Sequence, residues 1–478
     1  MTNPELLTQV PATAGAAAAN GTTADANAAD APIRGDVVAV VASLVLVATA
    51  SAVGYLLLAN GVEINLQSPP LFARFVPHVG IGTPFALCLG LLGFRFAPRL
   101  AEHLPWHGSV PLAAVTAMAW TTSLALVDGW QAGWVGRLTV SNEYLYDLPR
   151  IGSVGPFLSG FTSHILDFQP GSWTTHVSSH PPGATLVFLL LDRIGLGGGG
   201  WAGALVVLVG STAGVAVCLT IRTLGAPVAA RRLLPFAVFF PGAVWVGVSA
   251  DGLFAGVAAW GIALAVLGAR RGGRSGALVG LAGGLLLGYT AYLSYGLVLL
   301  VLVLAVAVMF SRRRRIHLAV LAGVIAVVTI FTLAGFDWLE GERLLVLRYY
   351  QGVASLRPYS YYVWANLAAL TLSVGPMTAA GLRRAVPVVL RSGPVIRASG
   401  IVDRETLVPA ALSLAAGLAV LIADLTGLSK AETERIWLPL GFWMIASLVL
   451  LPRRLLPAAL AVQIAVAIGI NHLEMTYW

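Results

Sequence analysis

From about residue 38 onward the chain is a succession of apolar runs. Each run is roughly 15 to 24 residues long and continuous, without the period-two alternation of a half-buried strand. Such runs predict helices long enough to cross a bilayer, and a spanning segment must be a helix or part of a closed barrel. Spans fall near 38–58, 80–96, 109–127, 200–221, 233–250, 253–269, 276–290, 293–310, 316–334, 362–382, 405–423, 436–451 and 455–471, about thirteen in all. Residues 1–35 are rich in Ala, Thr, Asn and Asp, show no apolar period and are expected to be disordered. No basic region precedes a short apolar stretch there, so they do not read as a signal peptide.

Composition agrees with a membrane protein. The chain has 478 residues, 58% hydrophobic and 10% charged, against about 25% charged in soluble domains. That leaves too little polar surface for a soluble globule. Two cysteines exclude a disulfide scaffold and a thiolate metal site. The net charge is +8, but the basic residues sit in short clusters between apolar runs, which excludes a nucleic-acid module. The clusters are Arg95 and Arg99; Arg222, Arg231 and Arg232; Arg270, Arg271 and Arg274; Arg312 to Arg315; Arg383, Arg384, Arg391 and Arg397; and Arg453 with Arg454. The positive-inside rule places them in the cytoplasm. A single transmembrane domain then occupies 36–471, with a cytoplasmic N-terminus and a short external tail at 472–478. External loops are expected at 128–198, 335–361 and 424–435. Residues 181–191 are apolar, but crossing there would put Arg222, Arg231 and Arg232 outside. They are expected as a helix at, or partly inside, the outer surface; the alternative is a crossing that breaks the rule.

Polar chemistry concentrates in the external segments. The stretch 128–183 holds Trp130, Trp134, Tyr144, Tyr146, Phe157 and Trp173, which suit a structure resting on the headgroup layer. It also holds Glu143 and Asp147, four apart and on one face if helical. Either carboxylate can serve as a general base or hold a divalent ion. His176 and His180 flank a Val-Ser-Ser stretch before Pro181-Pro182. They offer a phosphate or sugar contact, a structural hydrogen bond at a helix start, or a metal ligand, although no His-Glu-x-x-His pattern is present. Asp251 lies in a very short external turn, where it either orients a donor or catalytic group or caps the next helix. Arg343, Arg348 and Arg357 are external arginines that run against the topological bias, and phosphate binding explains them. Anionic lipid headgroups are the competing explanation. Arg435, between Glu432 and Glu434 and the next span, either pairs with those acids or faces the same phosphate.

These features together resemble the GT-C superfamily of membrane glycosyltransferases, which use polyprenyl-phosphate sugars. The protein O-mannosyltransferase and aminoarabinose-transferase type is the nearest. Three elements carry the likeness: the acidic stretch NEYLYD (Asn142 to Asp147), the His180-Pro181-Pro182-Gly183 element that closes the loop, and FFPGAVWVGVSADGLF with Pro241, Gly242 and Asp251. The stretch GLLLGYTAYLSYGLVLL adds a Gly-Leu-rich segment, with Ser294-Tyr295 where a Thr-Lys often stands. The likeness is detailed over roughly residues 130–310 and general elsewhere. Two departures matter. The family's first acid is Asn142 here, and the large loop follows a third span instead of the first.

The resemblance implies an all-α polytopic membrane protein with a GT-C-like bundle and surface-lying helices in the large external loop. It implies sugar transfer from a polyprenyl-phosphate donor to a cell-envelope acceptor hydroxyl on the outer, periplasmic face of a bacterial plasma membrane. Glu143 or Asp147 would be the base. Asn142, Arg150, His176, His180, Asp251, Arg343, Arg348, Arg357 and Arg435 would bind substrate. The acceptor would be a lipid, a glycan or a protein, and the donor chain would lie in a groove between spans. No cofactor is required, and a divalent cation such as Mg or Mn is one option. The Ala, Gly, Val, Leu and Arg bias with almost no Lys points to a high-GC bacterium. An actinobacterial envelope favours mannose or arabinofuranose. The rival readings are a lipid-linked glycan transporter or flippase, a glycan polymerase or ligase of the same fold class, and a non-catalytic scaffold.

Overall fold

The computed structural model describes residues 33–311, 316–399 and 402–477. The expected disorder of residues 1–32, the Arg312–Arg315 cluster and the side chain of Arg397 therefore lie outside the described residues. Every predicted span falls on helix. Among the described residues, eight helices are long and apolar enough to cross a membrane, from Ile33–Ala59 to Arg453–Leu473, or nine if one bent pair counts as a span. The chain is thus an all-α polytopic membrane protein built as a helical bundle.

The differences from the expected spans have local causes. The single span expected near 362–382 is two helices, Tyr359–Val374 and Met377–Ser399, that meet at 102°. Gly375, at φ 80°, and Pro376 separate them, and neither continues a helix. The span expected near 233–250 is the helix Pro227–Val238, a turn through Pro241-Gly242, and the one-turn helix Ala243–Val246. Tyr295–Phe310 and Leu438–Leu450 are shorter apolar helices. The segment at 181–191 forms the helix Gly183–Arg193, with 11 residues, well below the roughly 20 a crossing needs. Six of its 11 residues are buried in the protein, while Leu190 is exposed.

The bundle is held by close backbone approach. Gly276, Gly280, Gly284 and Gly288 repeat every four residues along the helix Gly273–Leu293. Gly276 faces Gly268, and the other three let the helix Ile316–Leu333 sit so near that a Cβ at Gly284 would lie 2.0 Å from the Val320 carbonyl oxygen. Small-residue stripes of this kind replace the hydrophobic driving force that lipid cannot supply.

The helix Ala250–Arg271 has 22 residues, about 33 Å at 1.5 Å per residue. It starts in an acidic cluster and ends in arginine, and so defines two ends of the molecule. At the arginine end, Arg231 donates to the carbonyls of Ala101 and Leu104 at 2.8 and 2.7 Å. Arg222 and Arg231 lie 4.8 and 5.7 Å from the centre of the Trp106 ring. Arg404 donates to Leu224 and Phe310 carbonyls at 2.7 and 3.1 Å. An apolar cavity of about 430 Å³ opens between the helices Thr83–His103, Trp106–Ala125 and Pro227–Val238.

The other end is built by the loops. Four of the six aromatic residues expected in a headgroup layer are packed inside instead: Trp134, Tyr144, Phe157 and Trp173 are at most 8% exposed, while Trp130 and Tyr146 exceed 50%. The large loop is therefore a folded cap whose core is continuous with that of the bundle. Residues 474–476 are not a free tail, because the strands Ala73–Phe75 and Glu474–Thr476 pair antiparallel, Ala73 opposite Thr476. Below this ribbon His78 contacts the Asp128 carboxylate at 2.6 Å. Arg137 pairs with the same carboxylate and donates to the Thr476 carbonyl.

Candidate active site

The chain turns sharply at residues 140–151. Glu143 is extended, with φ −100° and ψ 167°, and immediately precedes the single helical turn Tyr144–Asp147. Glu143 and Asp147 therefore do not share a helix face, contrary to the expectation. Asp147 is fully buried. One of its oxygens accepts from Arg150 at 2.8 Å and the other from the Thr174 amide at 2.8 Å. Arg150 also donates to the Ser172 and Gly171 carbonyls and stacks 5.1 Å from the Trp173 ring centre. This pair staples the loop.

Glu143 points the other way. It is 3% exposed. Its Oε1 lies 3.2 Å from His176 Nδ1, and its Oε2 is buried with no hydrogen-bond partner. Burial pushes its ionisation up to about 8, with Arg435 opposing and Asp251 adding to the shift. The Tyr144 ring packs against His176, His180 and Phe188 and walls the cluster.

The histidines are ordered by the main chain. The Asn142 carbonyl accepts from both the His176 amide, at 3.0 Å, and His176 Nδ1, at 2.7 Å. His176 Nε2 then carries the lone pair, 3.3 Å from an Arg435 nitrogen. Burial and then the Arg435 charge hold His176 well below the usual histidine range, in its neutral form. His180 Nδ1 donates to the His176 carbonyl at 2.9 Å. Burial also lowers His180, with the Asp251 charge opposing. Its neighbours are Tyr144 and Phe254, with ring centres 5.8 and 5.6 Å away. After His180, the two prolines start the helix Gly183–Arg193. The glycine at 183 has a steric reason, since a Cβ there would lie 2.4 Å from the Tyr292 carbonyl oxygen.

Arg435 is the centre of the cluster. It donates to Asp251 Oδ2 at 2.5 Å and to Glu432 Oε2 at 2.8 Å. Burial alone would lower its ionisation, but the charges of Asp251, Glu432 and Glu143 raise it above the usual arginine range. Asp251 sits in the first turn of Ala250–Arg271 but does not occupy the cap, where Ser249 stands. Of its two expected uses, the structure places it on Arg435. Ala431 and Glu432 precede Arg435 with φ of 72° and 63°, a left-handed pair costing about 1–3 kcal/mol per residue outside glycine. That turn brings Glu432 and Arg435 side by side. Glu434 makes its hydrogen bond elsewhere. It accepts from the Phe72 amide at 2.9 Å, and burial pushes its ionisation up to about 7, opposed by main-chain amides.

The remaining arginines separate into three cases. Arg357 is 5% exposed. It donates to the Lys430 carbonyl at 2.7 Å and lies 3.7 Å from Glu432, so it borders the cluster. Lys430, which the sequence reading passed over, donates to the Ala354 carbonyl at 3.0 Å and lies 5.1 Å from the Tyr350 ring centre. Burial, and then Arg357, lowers its ionisation. Arg348 pairs with Asp167 and donates to Ser178 at 3.3 Å, which docks the helix Trp338–Gln351 on the loop. Arg343 is exposed on that helix, away from the cluster.

Glu143, His176, His180, Asp251 and Arg435 thus converge, with Glu432 added, while Asp147, Arg150, Arg343 and Arg348 lie apart. Among the described residues no group of three or more His, Cys, Asp or Glu side chains is arranged to hold a metal ion, and the acids of the cluster close on a guanidinium instead. In comparisons with family models, curated proteins and solved structures, nothing matches this chain.

Proposed function

We propose that the protein is a membrane glycosyltransferase that moves a sugar from a polyprenyl-phosphate donor to a cell-envelope hydroxyl at the acidic end of the bundle. The observation that carries this reading is Glu143. It is a buried carboxyl with one oxygen unpartnered and ionisation near neutrality. A general base works best with its ionisation close to the working pH. In the proposed step Glu143 takes the acceptor proton as the acceptor oxygen attacks the anomeric carbon. The new C–O bond forms as the bond to the donor phosphate breaks, and the electron pair leaves with the phosphate. That leaving group needs charge stabilisation more than a proton. Arg435, with Arg357 and Lys430 beside it, supplies cations, and His180 offers an unprotonated nitrogen at the wall. Mannose or arabinofuranose remains the favoured sugar, and the periplasmic face the favoured side.

The test is transfer of radiolabelled sugar from decaprenyl-phosphate donors by purified protein, with the Glu143→Gln variant and with EDTA. Turnover in wild type that is lost in the variant supports the reading. Turnover that survives the substitution removes Glu143 as base. A second reading, a transporter of lipid-linked glycans, is favoured by the helix pair broken at Gly375-Pro376, since interrupted helices line many transport sites. Glycan translocation in vesicles without transfer to any acceptor would select it.

A further inference from the structure

We propose that the arginine end holds an anionic phospholipid, with its headgroup on Arg222 and Arg270 beside Trp106 and one acyl chain in the neighbouring apolar cavity. This site is independent of the proposed transferase reaction.

Three observations meet here. The first is the cavity of about 430 Å³, lined along the helix Thr83–His103 from Leu89 to Ala101, by Leu104 just past its end, and by Phe239. From Leu89 to Ala101 the helix rises about 18 Å, comparable to an acyl chain. The second is the position of its mouth. Ala101 and Leu104 line the cavity, and their carbonyls anchor Arg231. This end of the groove therefore lies beside Arg231, which shares the Trp106 ring with Arg222.

The third is uncompensated charge. The Arg222 guanidinium rests on Trp106, makes no hydrogen bond or ion pair among the described residues, and has Arg231 and Arg270 as like-charged neighbours. The nearby acids do not neutralise it. Glu405 accepts the Val228 and Ala229 amides at 3.2 and 2.7 Å, and Glu102 is exposed and makes no ion pair among the described residues.

The apolar groove alone gives no preference, because lipid tails fill any such groove in a bilayer. Selection comes from the cations, and basic pockets between spans at the cytoplasmic side recognise anionic headgroups. An indole beside the guanidinium groups fits the same interface.

The experiment is native mass spectrometry of the full-length protein, titrated with phosphatidylglycerol or with phosphatidylcholine of the same acyl chains. Wild type is expected to retain phosphatidylglycerol preferentially. The double variant Arg222→Gln, Arg270→Gln is expected to lose roughly 25-fold in that retention, about fivefold per arginine, with phosphatidylcholine unchanged. Neither arginine holds a main-chain group, so the variant should fold; a thermal unfolding curve in detergent checks this. A second variant, Ala97→Phe, narrows the groove without touching charge and is expected to shorten the preferred acyl chain. Equal retention of the two lipids by wild type overturns the proposal, as does unchanged phosphatidylglycerol retention in the double variant. Stabilisation by inorganic phosphate that equals stabilisation by phosphatidylglycerol assigns the site to a soluble anion and overturns the lipid.

Discussion

At one end of the bundle Arg222, Arg231 and Arg404 lie against ring faces and main-chain carbonyls. At the other, Arg435, Arg348 and Arg137 lie against carboxylates. The difference follows from burial. A partly exposed guanidinium keeps some of its water and needs only a flat or polar partner. A buried one loses its hydration, and at Arg435, Arg348 and Arg137 a carboxylate replaces it. Sequence position alone makes the two sets look alike. What separates them is whether an acid from a distant segment arrives, as Asp251 does 184 residues from Arg435. The arginine end marks an interface, while the acidic end stores charge.

Substitutions at the two ends should therefore have unequal effects, and the largest is expected at Glu143. Glu143→Gln should reduce sugar transfer roughly 10²–10⁴-fold with little change in donor KM, since general bases contribute about that much. Only the ionised carboxylate takes a proton, so kcat/KM in wild type should fall as pH drops through about 8, and the variant should lose that limb. A pH-independent profile in wild type would detach the carboxyl from the chemistry.

Next comes Arg435→Met, which strands Asp251 and Glu432 in a buried site. Breaking a buried pair from one side costs about 3–5 kcal/mol, readable as a large drop in thermal unfolding temperature. The double variant Arg435→Met, Asp251→Leu should recover part of that stability but none of the transfer activity. Asp147→Asn is expected to cost about 1–3 kcal/mol and to leave kcat within a few fold. That contrast with Glu143, four residues away, can be measured in one assay; equal kinetic loss at both positions would erase the distinction between base and staple. The smallest effect belongs to Arg343→Ala, expected within about 0.5 kcal/mol in stability, as for exposed positions generally.

Much of the helical frame is legible in the sequence, because continuous apolar runs and arginine clusters are local signals. Each predicted span overlaps helix, although only eight helices, or nine with the bent pair, are long and apolar enough to cross among the described residues. The breaks were less legible. Gly375-Pro376 and Pro241-Gly242 are visible as dipeptides, but tertiary packing decides whether such a pair kinks a span or divides it. The loop aromatics misled for a related reason. Trp and Tyr suit a headgroup layer, yet Trp134 donates to the Gly200 carbonyl and Trp173 to the Phe161 carbonyl, partners that no local pattern announces. For the acids, the NEYLYD stretch marks the acidic segment and leaves both carboxylates open as base. The choice between them depends on where the chain carries Thr174, His176 and Arg435. Glu432 is legible as a partner for Arg435 from their spacing, whereas Lys430 gives no motif, because its meeting with Arg357 depends on two left-handed residues without the glycine that usually signals them.

The ribbon between residues 73–75 and 474–476 bears on how the molecule is made. Ser68 bonds to Glu474, 406 residues further on, and Arg137 bonds to Thr476. A chain inserted into a membrane from its N-terminus exposes the first of these segments long before the second is synthesised. Until then residues 60–82 lack their strand partner, and the Phe72 amide waits for Glu434. The ribbon is thus among the last parts of the protein to close, and a chain arrested before residue 474 would carry most of its helices without it.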